Sequence, residues 1–494
     1  MLFNSFTYVL FLPLVALLYW LAPHKLRAPI LLVASYVFYM SWMKIYGILM
    51  ISLTAVNFLI GLLLSRASVH RTKRLVFIAG IAANLSCLAL FKYTNFFIDS
   101  IRQLSAAMSA QLHTPSFATV ANFPDLPIIL PLGISFFVFE FIHYLADVFK
   151  GAKPMTSPVK FGLFAAFFPS QIAGPIKRFQ DFEEQLKDAM HFDKGLFQSG
   201  LFLIMQGLFK KVVLGDNLAP LAQVGFAQPH AMGTFDAWIC VFAFALQIYY
   251  DFSGYTDIGR GSAMVLGFKL PENFNMPYIS KSLREFWHRW HISLSTWLRD
   301  YLYIPMGGSR KGKSIAAMNL FITMLLGGLW HGASWHYVAW GGFHGGGLAV
   351  NRVLDEMIAR NKWLEQLSKT WGWNLMAQVS TFILVCIGWV VFRANNMDEA
   401  MGVYQAMFSL RPSTSTEATI AEQLMQSSLP VALTLYAVTY NLIKYAPTWS
   451  LHFPEKLREL RPPVYARAIA VAAFALVVVG LAPQKSIPFI YFQF

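Results

Sequence analysis

Residues 314–351 read SIAAMNLFITMLLGGLWHGASWHYVAWGGFHGGGLAVN, and no Asp, Glu, Lys or Arg interrupts them. A hydrocarbon core about 30 Å thick needs roughly 20 consecutive, mostly apolar residues per helix. The stretch is therefore read as two spans, 314–330 and 335–351, joined by a short small-residue link. The same reading carried outward places spans at 3–22, 28–44, 47–65, 75–96, 127–148, 196–214 and 236–255, then at 376–393, 429–443 and 467–483. This is an all-α integral membrane protein with about 11–12 transmembrane helices. The first span lacks a basic n-region and a small-x-small cleavage site, so it is read as a retained helix and not a signal peptide. Gly162–Pro175 (GLFAAFFPSQIAGP) is apolar but short and broken by Pro169, Gly174 and Pro175. It reads as a re-entrant or interfacial piece, because irregular backbone at membrane depth must be shielded by protein or water.

Composition supports the same class. Hydrophobic residues make up 56% of the 494 and charged residues 13%, with 44 Phe and 14 Trp. That leaves too little polar surface to cover a water-soluble globule, which excludes a soluble enzyme and a disordered or fibrous chain. The net charge of +14 is distributed as membrane topology and does not signal nucleic acid. With the N-terminus outside, the inner loops hold 31 of the 39 Lys and Arg, whereas Asp216–Asp236 has none. Both termini are then extracytoplasmic. Lys210 and Lys211, in the sixth span, break the pattern and either snorkel to outer headgroups or face an internal cavity. Cys87, Cys240 and Cys386 lie in apolar runs and read as small buried hydrophobes. The absence of an internal repeat leaves one integral domain, 1–494, and argues against a transporter or flippase, the rival from another class.

The motifs of soluble catalysis are missing: no G-x-S-x-G elbow, no P-loop, no H-E-x-x-H. His143 and Asp147 match H-x-x-x-D by chance, without the accompanying Gly. Two histidine stretches carry more. Trp287–Tyr301 (WHRWHISLSTWLRDY) begins as an amphipathic pattern, with Phe286, Trp290, Trp297 and Tyr301 as aromatic anchors and Arg284, Arg289 and Arg299 as cations. Its ends read as a helix in the inner interface. Gly327–His336 (GGLWHGASWH) puts His331 inside an uncharged run, where an ionisable group is costly and defaults to a functional role. Gly332, Ala333 and Ser334 after it would let backbone or substrate approach closely. Gly341, Gly342, Gly345, Gly346 and Gly347 have the spacing of a tight helix contact. A zinc site on His331, His336 and His344 fits no standard spacing and lacks carboxylate or thiolate ligands, so no metal is expected. A neutral imidazole can take a proton from an attacking hydroxyl. Acyl transfer from a thioester needs that base, alignment of two substrates and exclusion of water.

At these residues the sequence closely resembles the membrane-bound O-acyltransferase superfamily, in its bacterial branch typified by the alginate O-acetyltransferase membrane subunit. The resemblance rests on Leu31–Tyr39 (LLVASYVFY), Pro131–Phe137 (PLGISFF), Phe168–Pro175 (FPSQIAGP), Tyr250–Asp257 (YDFSGYTD), Arg289–Tyr301 and Leu329–Gly332 (LWHG), in order and spacing over most of the chain. It implies that His331 is the catalytic histidine and His291 the second signature position. It also implies a helical bundle around a central tunnel, with the donor entering from the cytoplasm. The expected activity is O-acetyl transfer from acetyl-CoA through the membrane to an extracytoplasmic polysaccharide, alginate-like, by way of an extracytoplasmic partner protein. Trp290, Arg289, Arg299 and Trp330 are the expected donor contacts. The nine basic residues between Arg260 and Lys313 form an approach surface for CoA phosphates or simply express the positive-inside bias. Asp251 and Asp257 orient Arg260, line the donor entrance, or simply cap and pair locally. A carrier-protein thioester replacing CoA is the rival within the enzyme class.

Overall fold

The computed structural model describes residues 1–112, 123–172, 174–188, 191–410, 412, 464–483 and 487–490. The expected span 429–443 lies outside the described residues, as does the loop that follows it as far as residue 463. Among the described residues the regular structure is entirely helical. Among the described residues, six helices are long and apolar enough to cross a membrane: Lys44–Arg66, His70–Ser109, Lys194–Ala227, Thr234–Val265, Lys313–His331 and Trp371–Arg393. Phe6–Leu21, His24–Met40, Ile134–Phe149, Trp335–Arg360 and Val464–Leu481 carry the other described spans and are shorter or more polar.

The membrane pattern is visible within single helices. On Phe6–Leu21, Tyr8, Leu12, Val15 and Tyr19 are buried. Leu10, Leu14, Leu17 and Leu21 point outward, all more than half exposed. A helix that is apolar on both faces suits protein on one side and lipid on the other. Where polar residues occur at depth they pair. Asn57 and Asn84 exchange amide hydrogen bonds of 3.1 and 2.7 Å between neighbouring helices. Helix 134–149 starts seven residues later than the sequence reading of 127–148. Pro131 lacks an N–H and Gly133 is left-handed (φ 72°), so regular helix begins only at Ile134.

The chain divides into two compact units. One comprises Met1–Ile204 and Gly259–Gly388. Its interior is strongly aromatic, with Phe161, Phe164, Phe167 and Phe168 fully enclosed. Gly162–Pro175 becomes two short helices, Pro158–Ala166 and Phe168–Gln171, broken at Phe167. Burial from Phe161 to Ile172 supplies the shielding that broken backbone requires. The second unit comprises Met205–Ile258 and Trp389–Gln493. In it a π-helical turn, Phe209–Gly215, carries Lys210 and Lys211 inward. Lys210 pairs with Asp257 at 2.7 Å. Lys211 pairs with Asp216 at 2.5 Å and Asp251 at 2.6 Å, and donates to the Ile487 carbonyl at 3.1 Å. Asp251 accepts the Ile490 backbone N–H at 2.7 Å. Neither lysine snorkels to a headgroup; both are buried in ion pairs. Asp251 and Asp257 pair locally, and Arg260 pairs with Glu272 at 2.9 Å.

Candidate active site

His331 is the last residue of helix Lys313–His331 and is 5% exposed. The next helix, Trp335–Arg360, folds back along it after a three-residue link. The two approach closely because Gly328 and Gly341 have no side chains. A Cβ on Gly328 would lie 2.2 Å from the Tyr337 carbonyl oxygen, and one on Gly341 would lie 2.3 Å from that of Met324. Gly345 backs on Phe321, whereas Gly346 faces open space. The glycine spacing thus marks a helix contact, made chiefly by Gly341 and Gly345. The space beside Gly332 is taken by the Tyr337 ring, which a Cβ would meet at 2.0 Å.

The imidazole of His331 stands edge-on between two indoles, Trp330 at 5.0 Å and Trp340 at 5.1 Å between ring centroids. Trp340 also contacts His344 at 4.8 Å, and Trp287 covers His344 from another side at 5.2 Å. His336 lies elsewhere on the helix, its Nδ1 2.8 Å from Ser334 Oγ. No cluster of three His, Cys, Asp or Glu suited to a metal ion occurs among the described residues.

His291 is fully buried and joins two seven-residue helices, Leu283–Arg289 and Ile292–Leu298. Its backbone is left-handed (φ 43°), an uncommon conformation for a residue with a side chain. The surroundings hold it there. The Ile292 N–H donates to the Asn273 carbonyl at 2.9 Å, and the Asn275 N–H to the Arg289 carbonyl at 2.9 Å. Ser293 Oγ donates to Asn273 Oδ1 at 2.6 Å and accepts the Ile176 N–H at 3.0 Å. Such strain persists where the surroundings over-determine it, commonly at functional sites. The His291 ring is 6.0 Å from the Trp330 ring, so one indole touches both histidines.

The 283–298 segment does not present its aromatics to an interface. Phe286, Trp290 and Trp297 are buried in protein, with Trp290 packed against Phe274, Tyr278 and Phe286. The break at His291 folds what would be one amphipathic helix into the interior. Arg289 is bound to Glu285 at 2.9 Å and to the Asn275 carbonyl at 3.1 Å. Arg299 is exposed and donates to Asp300 at 2.7 Å.

A cavity of about 130 Å³ is lined among others by His143, Arg178, Ile292, Ser293, Trp297 and Tyr301. Trp297 stacks on Phe139 at 3.8 Å, and Phe139 stacks on Trp330 at 5.4 Å. Three rings therefore connect the cavity wall to His331. At the cavity's edge Asp300 accepts from both Arg178 and Arg299. Partial burial pushes its carboxyl upward, but the hydrogen bonds from Arg299 and Arg178 outweigh this and hold it below the ordinary carboxylate value. Asp147 accepts from the Tyr301 hydroxyl at 2.9 Å and from Gln180 at 2.8 Å, so the H-x-x-x-D match has a structural use for its Asp.

Two charged groups near the site were not part of the sequence reading. Lys177 donates to both Glu140 oxygens at 2.8 Å, fully enclosed. Lys92 reaches the backbone of Trp330 and His331. Each is an ionisable residue inside or beside an apolar run, the same signal that singles out His331.

Residues 149–391 match the family described as MBOAT, membrane-bound O-acyltransferase. The chain is 40% identical to the probable alginate O-acetylase AlgI of Azotobacter vinelandii, over the whole of both proteins. It is 34% identical to the peptidoglycan O-acetyltransferase of Helicobacter pylori, covering 83% of this chain and 80% of that one. With the teichoic acid D-alanyltransferase of Bacillus subtilis it shares 27% identity over 53% of this chain and 68% of the relative.

Proposed function

The chain belongs to the membrane-bound O-acyltransferase family and is a multi-pass membrane acyltransferase, and from that premise we propose that it moves acetyl groups from cytoplasmic acetyl-CoA to an extracytoplasmic, alginate-like polysaccharide. All 494 residues act as one integral domain in the cell's inner membrane, with both termini outside. The full-length likeness to an alginate O-acetylase supports the polymer class, and the loop distribution of Lys and Arg supports the orientation. An extracytoplasmic partner protein completes delivery to the polymer.

One observation carries the chemistry: His331 ends a membrane-spanning helix, buried, with Trp330 linking it to the strained His291 and, through Phe139 and Trp297, to the cavity. In this reading the donor enters past Arg178 and Arg299, and its thioester lies against Trp330. His331 takes the proton of the attacking hydroxyl as the new ester C–O bond forms. The C–S bond then breaks, and the proton passes to the departing thiolate. His291 holds the donor and supports the charge that develops on the carbonyl oxygen. Of the four donor contacts expected from sequence, this reading keeps Trp330, whose ring contacts both histidines, and Arg299, which stays exposed while bound to Asp300. Trp290 and Arg289 are committed to packing and to Glu285, and they support the His291 turn.

His331→Ala, introduced into the native host, is expected to leave the amount of membrane-inserted protein and of polymer unchanged while polymer O-acetyl content falls to background. Normal O-acetyl content in that strain would overturn the assignment.

A further inference from the structure

Lys92 is the one charged residue in the apolar run 75–96 and sits in a π-helical turn, Ala89–Tyr93. An ammonium at that depth is costly unless it is partnered. Its partners are the main chain of the His331 turn. Lys92 Nζ donates to the Trp330 carbonyl and, at 3.2 Å, to the His331 carbonyl, with Ser135 Oγ at 3.5 Å. It also stands 5.8 Å from the Trp330 ring centroid. The next residue, Tyr93, donates its hydroxyl to the Leu329 carbonyl at 2.9 Å. The carbonyls of the last three residues of the helix are thus all received by one π turn.

Those carbonyls need partners from outside their helix. The last four C=O groups of an α-helix have none within it, and they form the negative pole of its dipole. A left-handed glycine often closes such an end. Here Gly332 is extended (φ −156°, ψ 150°), so the common glycine cap is not formed. A cation donating to the terminal carbonyls satisfies the hydrogen bonding and the dipole together.

We propose that Lys92, assisted by Tyr93, is a positioning residue for acyl transfer: it caps the helix that ends in His331 and so fixes the direction of the imidazole toward the thioester. The inference rests on the reading of His331 as the base. Misplacing a catalytic group by about 1 Å can lower the rate about a hundredfold. A π turn, common at functional sites, widens the helix at this point and presents Lys92 and Tyr93 to adjacent carbonyls.

The test uses purified full-length protein in detergent with labelled acetyl-CoA and reads the rate at which free CoA is released. It compares wild type, Lys92→Met, Lys92→Arg, Tyr93→Phe and His331→Ala, with a melting curve for each. Lys92→Met is expected to lower kcat about a hundredfold with KM nearly unchanged. Lys92→Arg, which keeps the cationic donors, is expected to recover most of the rate. Tyr93→Phe, which removes one of the three caps, should lower kcat several-fold in folded protein. Wild-type kcat per folded molecule in Lys92→Met would overturn the proposal. If Lys92→Met does not fold, wild-type kcat in Tyr93→Phe would overturn it equally. His331→Ala separates the two claims. Activity retained there defeats the His331 assignment itself, whereas activity lost there beside normal Lys92→Met defeats only the cap.

Discussion

Lys211→Met is expected to destabilise the protein by about 3–5 kcal/mol, because removing one partner of a buried pair leaves the opposite charge uncompensated. The lysine is fully enclosed, and its ammonium lies 2.5 Å from Asp216 and 2.6 Å from Asp251. It also donates to the Ile487 carbonyl, while Asp251 accepts the Ile490 N–H. The substitution therefore strands two carboxylates and loosens the grip on residues 487–490 together. Melting of the purified protein in detergent, or the folded fraction recovered from membranes, reads the effect. Adding Asp216→Asn and Asp251→Asn removes the stranded charges and should restore most of the stability. Asn at 251 keeps an acceptor for Ile490. Unchanged melting in the single variant, or no recovery in the triple, would show that the cluster does not stabilise this unit.

Gly341→Ala is the second large effect, and its sign is diagnostic. In an ordinary helix interior, Gly→Ala favours folding by about 1 kcal/mol. Here the added methyl would lie 2.3 Å from the Met324 carbonyl oxygen and 3.0 Å from Leu325 Cα, both backbone atoms that no side-chain rotation can move aside. The two helices must separate, at a cost of about 1–3 kcal/mol. Because the helix pushed away ends in His331, acyl transfer should fall about a hundredfold. Gly328→Ala, facing the Tyr337 carbonyl at 2.2 Å, should behave alike. Gly346→Ala is the control: nothing lies within 4 Å of its added methyl, so stability and activity should be unchanged or slightly improved. Equal behaviour of Gly341→Ala and Gly346→Ala would contradict the close-packed pair.

Much of this architecture is legible in the amino-acid sequence because lipid imposes one strong rule, and that rule leaves long uncharged runs. His331 stands out by the same logic, as an ionisable group within such a run. The glycines after it announced a helix contact, although only geometry distinguishes Gly341, against backbone, from Gly346, in the open. What the pattern does not carry is register and pairing. The π turns at Ala89–Tyr93, Phe209–Gly215 and Arg299–Tyr303 leave no periodic trace. Yet they aim Lys92, Lys211 and Asp300 at their partners. Partners of buried charges are remote in sequence, as with Glu140 and Lys177, so composition signals the charge and not what neutralises it. The amphipathic reading of 287–301 fails at one residue. The left-handed turn at His291 converts a surface-lying pattern into two short buried helices. A backbone conformation imposed by Asn273 and Ile176 cannot be read from local periodicity.

The central claim is that His331 catalyses acetyl transfer from CoA, and acetyl-CoA turnover by the purified full-length protein tests it most directly. With labelled acetyl-CoA, wild type is expected to release free CoA in step with the acetyl group lost from the thioester, whether that group passes to an added hydroxyl acceptor or to water. His331→Ala, folded to the same extent, should lose about 10²–10⁴ of that rate, the usual contribution of a general base. Wild-type turnover in the variant, or a wild-type protein that ignores acetyl-CoA while consuming a carrier-protein thioester, would contradict it.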